Sequence, residues 1–120
     1  MEYPNKYSAV NLLPDLNLDT EKWNRIPEEQ AIVSTVKAIE ERGIEVIRSQ
    51  DGSQALARIK ELIPPGSEVM NGSSTTLIEI GFQDLMDSGK HEWINLKQAV
   101  TSENDAHKRA NLRRKTVTSD

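Results

Sequence analysis

The feature that most narrows what this chain can fold into lies between Pro64 and Gly81. Pro64-Pro65-Gly66 stops whatever precedes it, and Ser67-Glu68-Val69-Met70-Asn71 is a short apolar run. Gly72-Ser73-Ser74-Thr75-Thr76 is then a corner of small hydroxylated residues, and Leu77-Ile78-Glu79-Ile80 resumes helical spacing. A strand that turns through such a corner into a helix is how open α/β sheets present backbone amides to anions at a strand's carboxyl end. Gly72 lets the backbone approach a ligand closely, and the N–H groups and hydroxyls of Ser73, Ser74 and Thr75 can donate to it. The candidate ligand-binding residues are therefore Asn71, Gly72, Ser73, Ser74, Thr75 and Thr76. No lysine or arginine lies in the corner, so an anion there is held mostly by dipoles unless a cation arrives from elsewhere. The same residues also have a purely structural use, capping the helix and making the turn.

The flanks set the corner in a repeating pattern. Pro27-Glu28-Glu29 is a favourable helix start, and Ile32, Val36 and Ile39 mark one face of a helix that Gly43 ends. Residues 43–49 alternate in part and read as a strand; Asp51 with Gln54 reads as a capping pair for a helix through Leu56, Ile59, Leu62 and Ile63. After the second strand, at 67–71, Thr76 and Glu79 form a capping box for a helix through Leu77, Ile80, Leu85 and Met86 to Gly89. Residues 92–96 read as a third strand, and Thr101 or Ser102 caps a last polar helix through Ala106, Ala110 and Leu112. This alternation predicts an α/β fold with a partial parallel sheet of about three strands and flanking helices. A parallel sheet needs both faces covered, so so few strands read as part of a larger sheet whose open edge lets copies of the chain associate. Residues 1–26, with Pro4, Pro14, Asn5, Asn11 and Asn17, read as an N-terminal arm in which Trp23 is a half-exposed anchor, and 27–120 as the α/β domain.

Composition removes several classes of function. The chain has 120 residues, 36% hydrophobic and 28% charged, the balance of one small globular domain. A net charge of -4 gives no general reason to bind nucleic acid. The one basic cluster, Lys108, Arg109, Arg113, Arg114 and Lys115, suits the negative end of its own helix. Cysteine is absent, so the chain supplies no thiolate for a disulfide, a metal, an iron–sulfur cluster or nucleophilic catalysis. His91 and His107 have no ligand partner at metal spacing and read as surface residues; no metal site and no catalytic group is assigned. No apolar run reaches membrane-spanning length and no signal peptide opens the chain, which predicts a cytoplasmic protein.

The run from Ala55-Leu56-Ala57-Arg58 through Pro64-Pro65-Gly66 to Asn71-Gly72-Ser73-Ser74-Thr75-Thr76-Leu77, with Glu79 and Gly81, resembles the lactate-utilisation (LUD) domain family, most nearly its C-type members. Glu92-Trp93-Ile94-Asn95-Leu96 and Arg109-Ala110-Asn111-Leu112-Arg113-Arg114-Lys115 fit the same pattern, so the likeness runs over about residues 31 to 120. The resemblance implies a sheet similar to the ribose-phosphate isomerase and CoA-transferase group, in which a comparable loop holds a phosphate. It implies a part in oxidising L-lactate to pyruvate as an accessory subunit beside iron–sulfur oxidoreductase subunits, with the cluster in the partner and no cofactor in this chain. The family's domain continues into further strands, so 27–120 is expected to be its N-terminal part. The alternative is a stand-alone enzyme on a phosphorylated or folate-type substrate, similar to sugar-phosphate isomerases or formyltetrahydrofolate cyclo-ligase.

Overall fold

A computed structural model describes residues 16–17, 19–23 and 25–119, and most of the expected arm lies outside them. The chain falls into two compact units divided between Ser49 and Gln50. In the first, α1 (Thr20–Trp23) is capped by Asp19, whose Oδ1 accepts the Lys22 N–H at 3.0 Å. Trp23 is 69% exposed, more open than the anchor the sequence predicts, with the Lys22 ammonium 4.5 Å from its ring centre. Helix α2 (Glu29–Glu40) follows Pro27, and Ile32, Val36 and Ile39 form its half-buried stripe. Gly43 ends it at φ +76°, a conformation that costs an L side chain and costs glycine nothing.

The strand expected at 43–49 is absent. These residues carry no ladder among the described residues, and Ile44 and Ile47 are 57% and 38% exposed. A β-favouring run becomes a strand only where a partner takes its N–H and C=O groups. What holds this segment is a side chain: Arg48 grips Glu29 with its two terminal guanidinium nitrogens, at 2.6 and 3.0 Å.

The second unit opens with α3 (Gly52–Leu62), capped as the sequence predicts by Asp51, whose Oδ1 accepts the Gln54 N–H at 2.8 Å. The Gln54 side chain returns the bond one residue earlier than a capping box would, to the Gln50 N–H. Pro64-Pro65-Gly66 then turns the chain into β1 (Glu68–Val69), which pairs in parallel with β2 (Ile94–Asn95), Glu68 opposite Ile94. The sheet among the described residues therefore has two short strands where about three longer ones were expected. Its second strand ends early because Asn95 Oδ1 accepts the Gln98 N–H at 3.0 Å and starts α6 (Leu96–Ser102).

Between the strands the expected single helix is two, α4 (Thr75–Glu79) and α5 (Phe82–Ser88). Gly81 breaks it at φ +85°, outside the helical region. The expected Thr76–Glu79 capping box is also replaced: Ser74 is the cap, its Oγ accepting the Leu77 N–H at 3.2 Å. Helix α7 (Ala106–Lys115) is capped by Asp105 through the Lys108 N–H, at 2.8 Å. Thr101 and Ser102, the expected caps, instead end α6 and bond back to the Lys97 and Gln98 carbonyls.

Val69, Phe82 and Met86 form the core, with Leu56, Ile59, Ile63, Leu77, Ile80 and Trp93 packed against them. The break at Gly81 is what lets both sides of the connection contribute, Leu77 and Ile80 from one and Phe82 and Met86 from the other. Leu96, 2% exposed, and Val100 bury the face of α6. Gly52 sits so close to Ile80 that a Cβ there would meet its Cγ2 at 3.2 Å, which brings the start of α3 against the end of α4.

Candidate functional site

The corner lies at the carboxyl end of β1, as the sequence predicts. Gly72, Ser73, Thr75 and Thr76 are exposed, and Asn71 and Ser74 are half-buried. Among the described residues, the N–H groups of Gly72, Ser73, Ser74, Thr75 and Thr76 find no acceptor, and the hydroxyls of Ser73, Thr75 and Thr76 form no hydrogen bond. Ser74 is different, because its oxygen already serves the Leu77 N–H. Gly72 keeps ordinary φ, and a Cβ there would meet nothing within 4 Å. The backbone thus does not demand glycine at this position, and what glycine provides is open space.

Two residues that sequence reasoning left out complete the corner. Asn71 Nδ2 donates to Gln83 Oε1 at 3.0 Å and to the Gly72 carbonyl at 3.3 Å. The same Gln83 oxygen accepts from Lys97 Nζ at 3.2 Å, and Gln83 Nε2 donates to Asp87 Oδ1 at 2.8 Å. Asp87 can only accept, and the Lys97 ammonium can only donate, so the orientation of the Gln83 amide is fixed from both sides. That in turn fixes Asn71, whose Oδ1 is buried with no hydrogen-bond partner among the described residues. A buried acceptor left unsatisfied costs about 1–3 kcal/mol. Lys97 is thus joined to Asn71 through one shared oxygen, Gln83 Oε1. Spacing gives Gln83–Asp87 as an i, i+4 pair on α5, but nothing in it brings Lys97 to Asn71.

The other sequence candidates have structural employment. Arg109 closes the turn between α6 and α7 by donating to the Glu103 and Asn104 carbonyls, Arg114 donates to Asn111, and Lys115 pairs with Glu68. His91, expected at the surface, is half-buried and bonded through both nitrogens: the Trp93 N–H reaches Nδ1 and the Met86 carbonyl faces Nε2, each at 3.2 Å. His107 is exposed on α7. Glu79 is exposed at the last position of α4. Among the described residues no group of three or more His, Cys, Asp or Glu could hold a metal ion, and no helix is long and apolar enough to cross a membrane. With no cysteine in the sequence, the residues present do not fit an iron–sulfur cluster.

Neither a curated protein nor a solved structure matches the chain. A family model described as the LUD domain matches residues 32–120, which include both strands, the corner, Gln83 and Lys97. On that match the chain belongs to the LUD domain family.

Proposed function

We propose that this chain is an accessory subunit in the oxidation of L-lactate to pyruvate, and that its corner at Asn71, Gly72, Ser73, Ser74, Thr75 and Thr76 takes a carboxylate or phosphate group. Membership of the LUD domain family is consistent with lactate utilisation, and the C-type resemblance is the finer form of that reading. The observation that carries the site is the run of N–H groups from Gly72 to Thr76 with no acceptor among the described residues, on an exposed corner. Lys97 supports it by supplying a positive charge one oxygen away from Asn71.

Oxidising lactate removes two electrons and two protons, and with no cysteine to hold a cluster in this chain the electrons go to a centre outside it. In this reading the acceptor is an iron–sulfur oxidoreductase subunit in the cytoplasm, and the edge of the short sheet is where a partner or a second copy adds strands. Calorimetric titration with L-lactate, inorganic phosphate and nucleotides tests the site, with Ser73→Ala and Lys97→Met expected to weaken the response. No response, or one that ignores both substitutions, would overturn the binding corner. Lactate oxidation that needs this chain together with an iron–sulfur partner supports the accessory role. Turnover of a phosphorylated or folate-type substrate by the isolated chain would move the reading to a stand-alone enzyme.

A further inference from the structure

A second concave surface lies at the opposite end of the strands from the corner. Where the turn at Pro65 leads into β1 and His91-Glu92-Trp93 leads into β2, a cleft of about 210 Å³ opens. Its apolar wall is Ile63, Pro65 and Trp93, and its rim carries Lys60, Lys90 and Glu92. From these observations we propose that this cleft binds a small organic monoanion with a compact apolar or aromatic body. The proposal uses no residue of the corner and does not rest on the lactate reading.

The wall is preformed. Trp93 is held by its indole N–H donating to the Ile63 carbonyl at 3.2 Å, by its backbone N–H on His91 Nδ1, and by the His91 ring stacked on it with centres 5.5 Å apart. Phe82 meets the indole from the core, tilted, at 6.1 Å. The turn itself is tied down by the Gly66 N–H donating to the Glu92 carbonyl at 2.7 Å. A wall fixed before binding spares the ligand the cost of ordering it. His91 offers the ligand no donor. The Trp93 N–H can only donate and the Met86 carbonyl can only accept, so the ring carries its hydrogen on Nε2, where Met86 uses it.

The charge on the rim sets the ligand's charge. Neither Lys60 nor Lys90 has a carboxylate partner among the described residues, while Glu92 contributes one negative charge to the same cleft. The sum is one positive charge, which suits a monoanion and disfavours a dianion. The volume, below the roughly 300 Å³ at which drug-sized sites begin, limits the body to a short chain or a single ring.

The sequence has two tryptophans, so Trp23→Phe leaves Trp93 as the only indole and a direct reporter of the cleft. Benzoate, benzyl alcohol and inorganic phosphate are titrated into that variant while Trp93 fluorescence is read. The expected result is a saturable change with benzoate, absent with benzyl alcohol, far weaker with phosphate, and weakened about tenfold when Lys60→Gln and Lys90→Gln are combined. Amide shifts of Lys90, His91 and Trp93 in the unmodified chain report the same binding without any substitution. No saturable response to benzoate overturns the site. An equal response to benzyl alcohol, or one unaffected by the lysine changes, overturns the anion, and an equal response to phosphate overturns the apolar body.

Discussion

Replacing Gly81 with alanine separates the broken helix from the continuous one that the residue pattern implies, because the two give opposite signs. In the structure Gly81 has φ +85°, and an added Cβ would meet only Leu56 Cδ2, at an ordinary 3.7 Å. The penalty is thus conformational rather than steric, about 1–2 kcal/mol for an L residue in the left-handed region. Alanine also restricts the unfolded chain, which returns about 0.4–1 kcal/mol. The net expectation is a loss of about 1 kcal/mol, or roughly 4–8 °C in Tm for a unit of this size. Were residues 75–88 one helix, the same substitution would stabilise by about 1 kcal/mol, the ordinary difference between glycine and alanine in a helix interior. Thermal unfolding followed by circular dichroism reads the sign, with Gly72→Ala as a control. Gly72 has ordinary φ and open space, so its variant should unfold within about 0.5 kcal/mol of the parent. A Gly81→Ala protein more stable than the parent would refute the break and the placement of Gln83 that depends on it.

Ser74→Ala removes the cap of α4 and should cost about 1 kcal/mol in urea unfolding, whereas Ser73→Ala, exposed and unbonded, should cost almost nothing and weaken only anion binding. Equal stability losses at the two sites would contradict the division between cap and ligand donor. Met86, 1% exposed in the core, should lose about 2–5 kcal/mol on change to alanine, read from the urea midpoint; a loss under 1 kcal/mol would mean that the core is elsewhere. The Arg48 guanidinium, hydrogen-bonded to Glu29, holds that carboxyl below the usual glutamate range. A carboxyl with a depressed folded value stabilises fully above its unfolded value near about 4.3, and that contribution disappears as pH falls through the folded one. Unfolding midpoints measured from neutral pH downward should therefore fall less steeply in Arg48→Gln than in the parent, and parallel curves would refute the coupling.

How much of this was readable from residues alone depends on where the determining partner lies. Asp51 with Gln54, the apolar stripe through Leu56 and Ile59, and the stop at Pro64 are local, and each stands where the pattern puts it. The cap at Asn95 was equally local, since Gln98 three residues on is the usual sign of one, but the β-favouring Trp93 and Ile94 masked it. Gly43-Ile44-Glu45-Val46-Ile47 carries strand propensity with no ladder among the described residues, and propensity cannot supply a partner. Gly81 is tolerated inside a helical pattern, so only φ reveals that it ends one helix and begins another. The place of the corner between β1 and α4 was legible because small hydroxylated residues make such turns and cap the helix that follows, as Ser74 does. Lys97 and Gln83 were not, because their meeting with Asn71 depends on the turn at Gly81 and on α6 starting immediately after β2.

The proposed site depends on amides that are open to a negative group, and amide resonances report on them one by one. In a nitrogen–proton correlation spectrum, titration with L-lactate or inorganic phosphate should move the peaks of Gly72, Ser73, Ser74, Thr75 and Thr76 together along one saturable curve, weakened by Lys97→Met. Peaks of these residues that stay fixed while others shift would contradict the site.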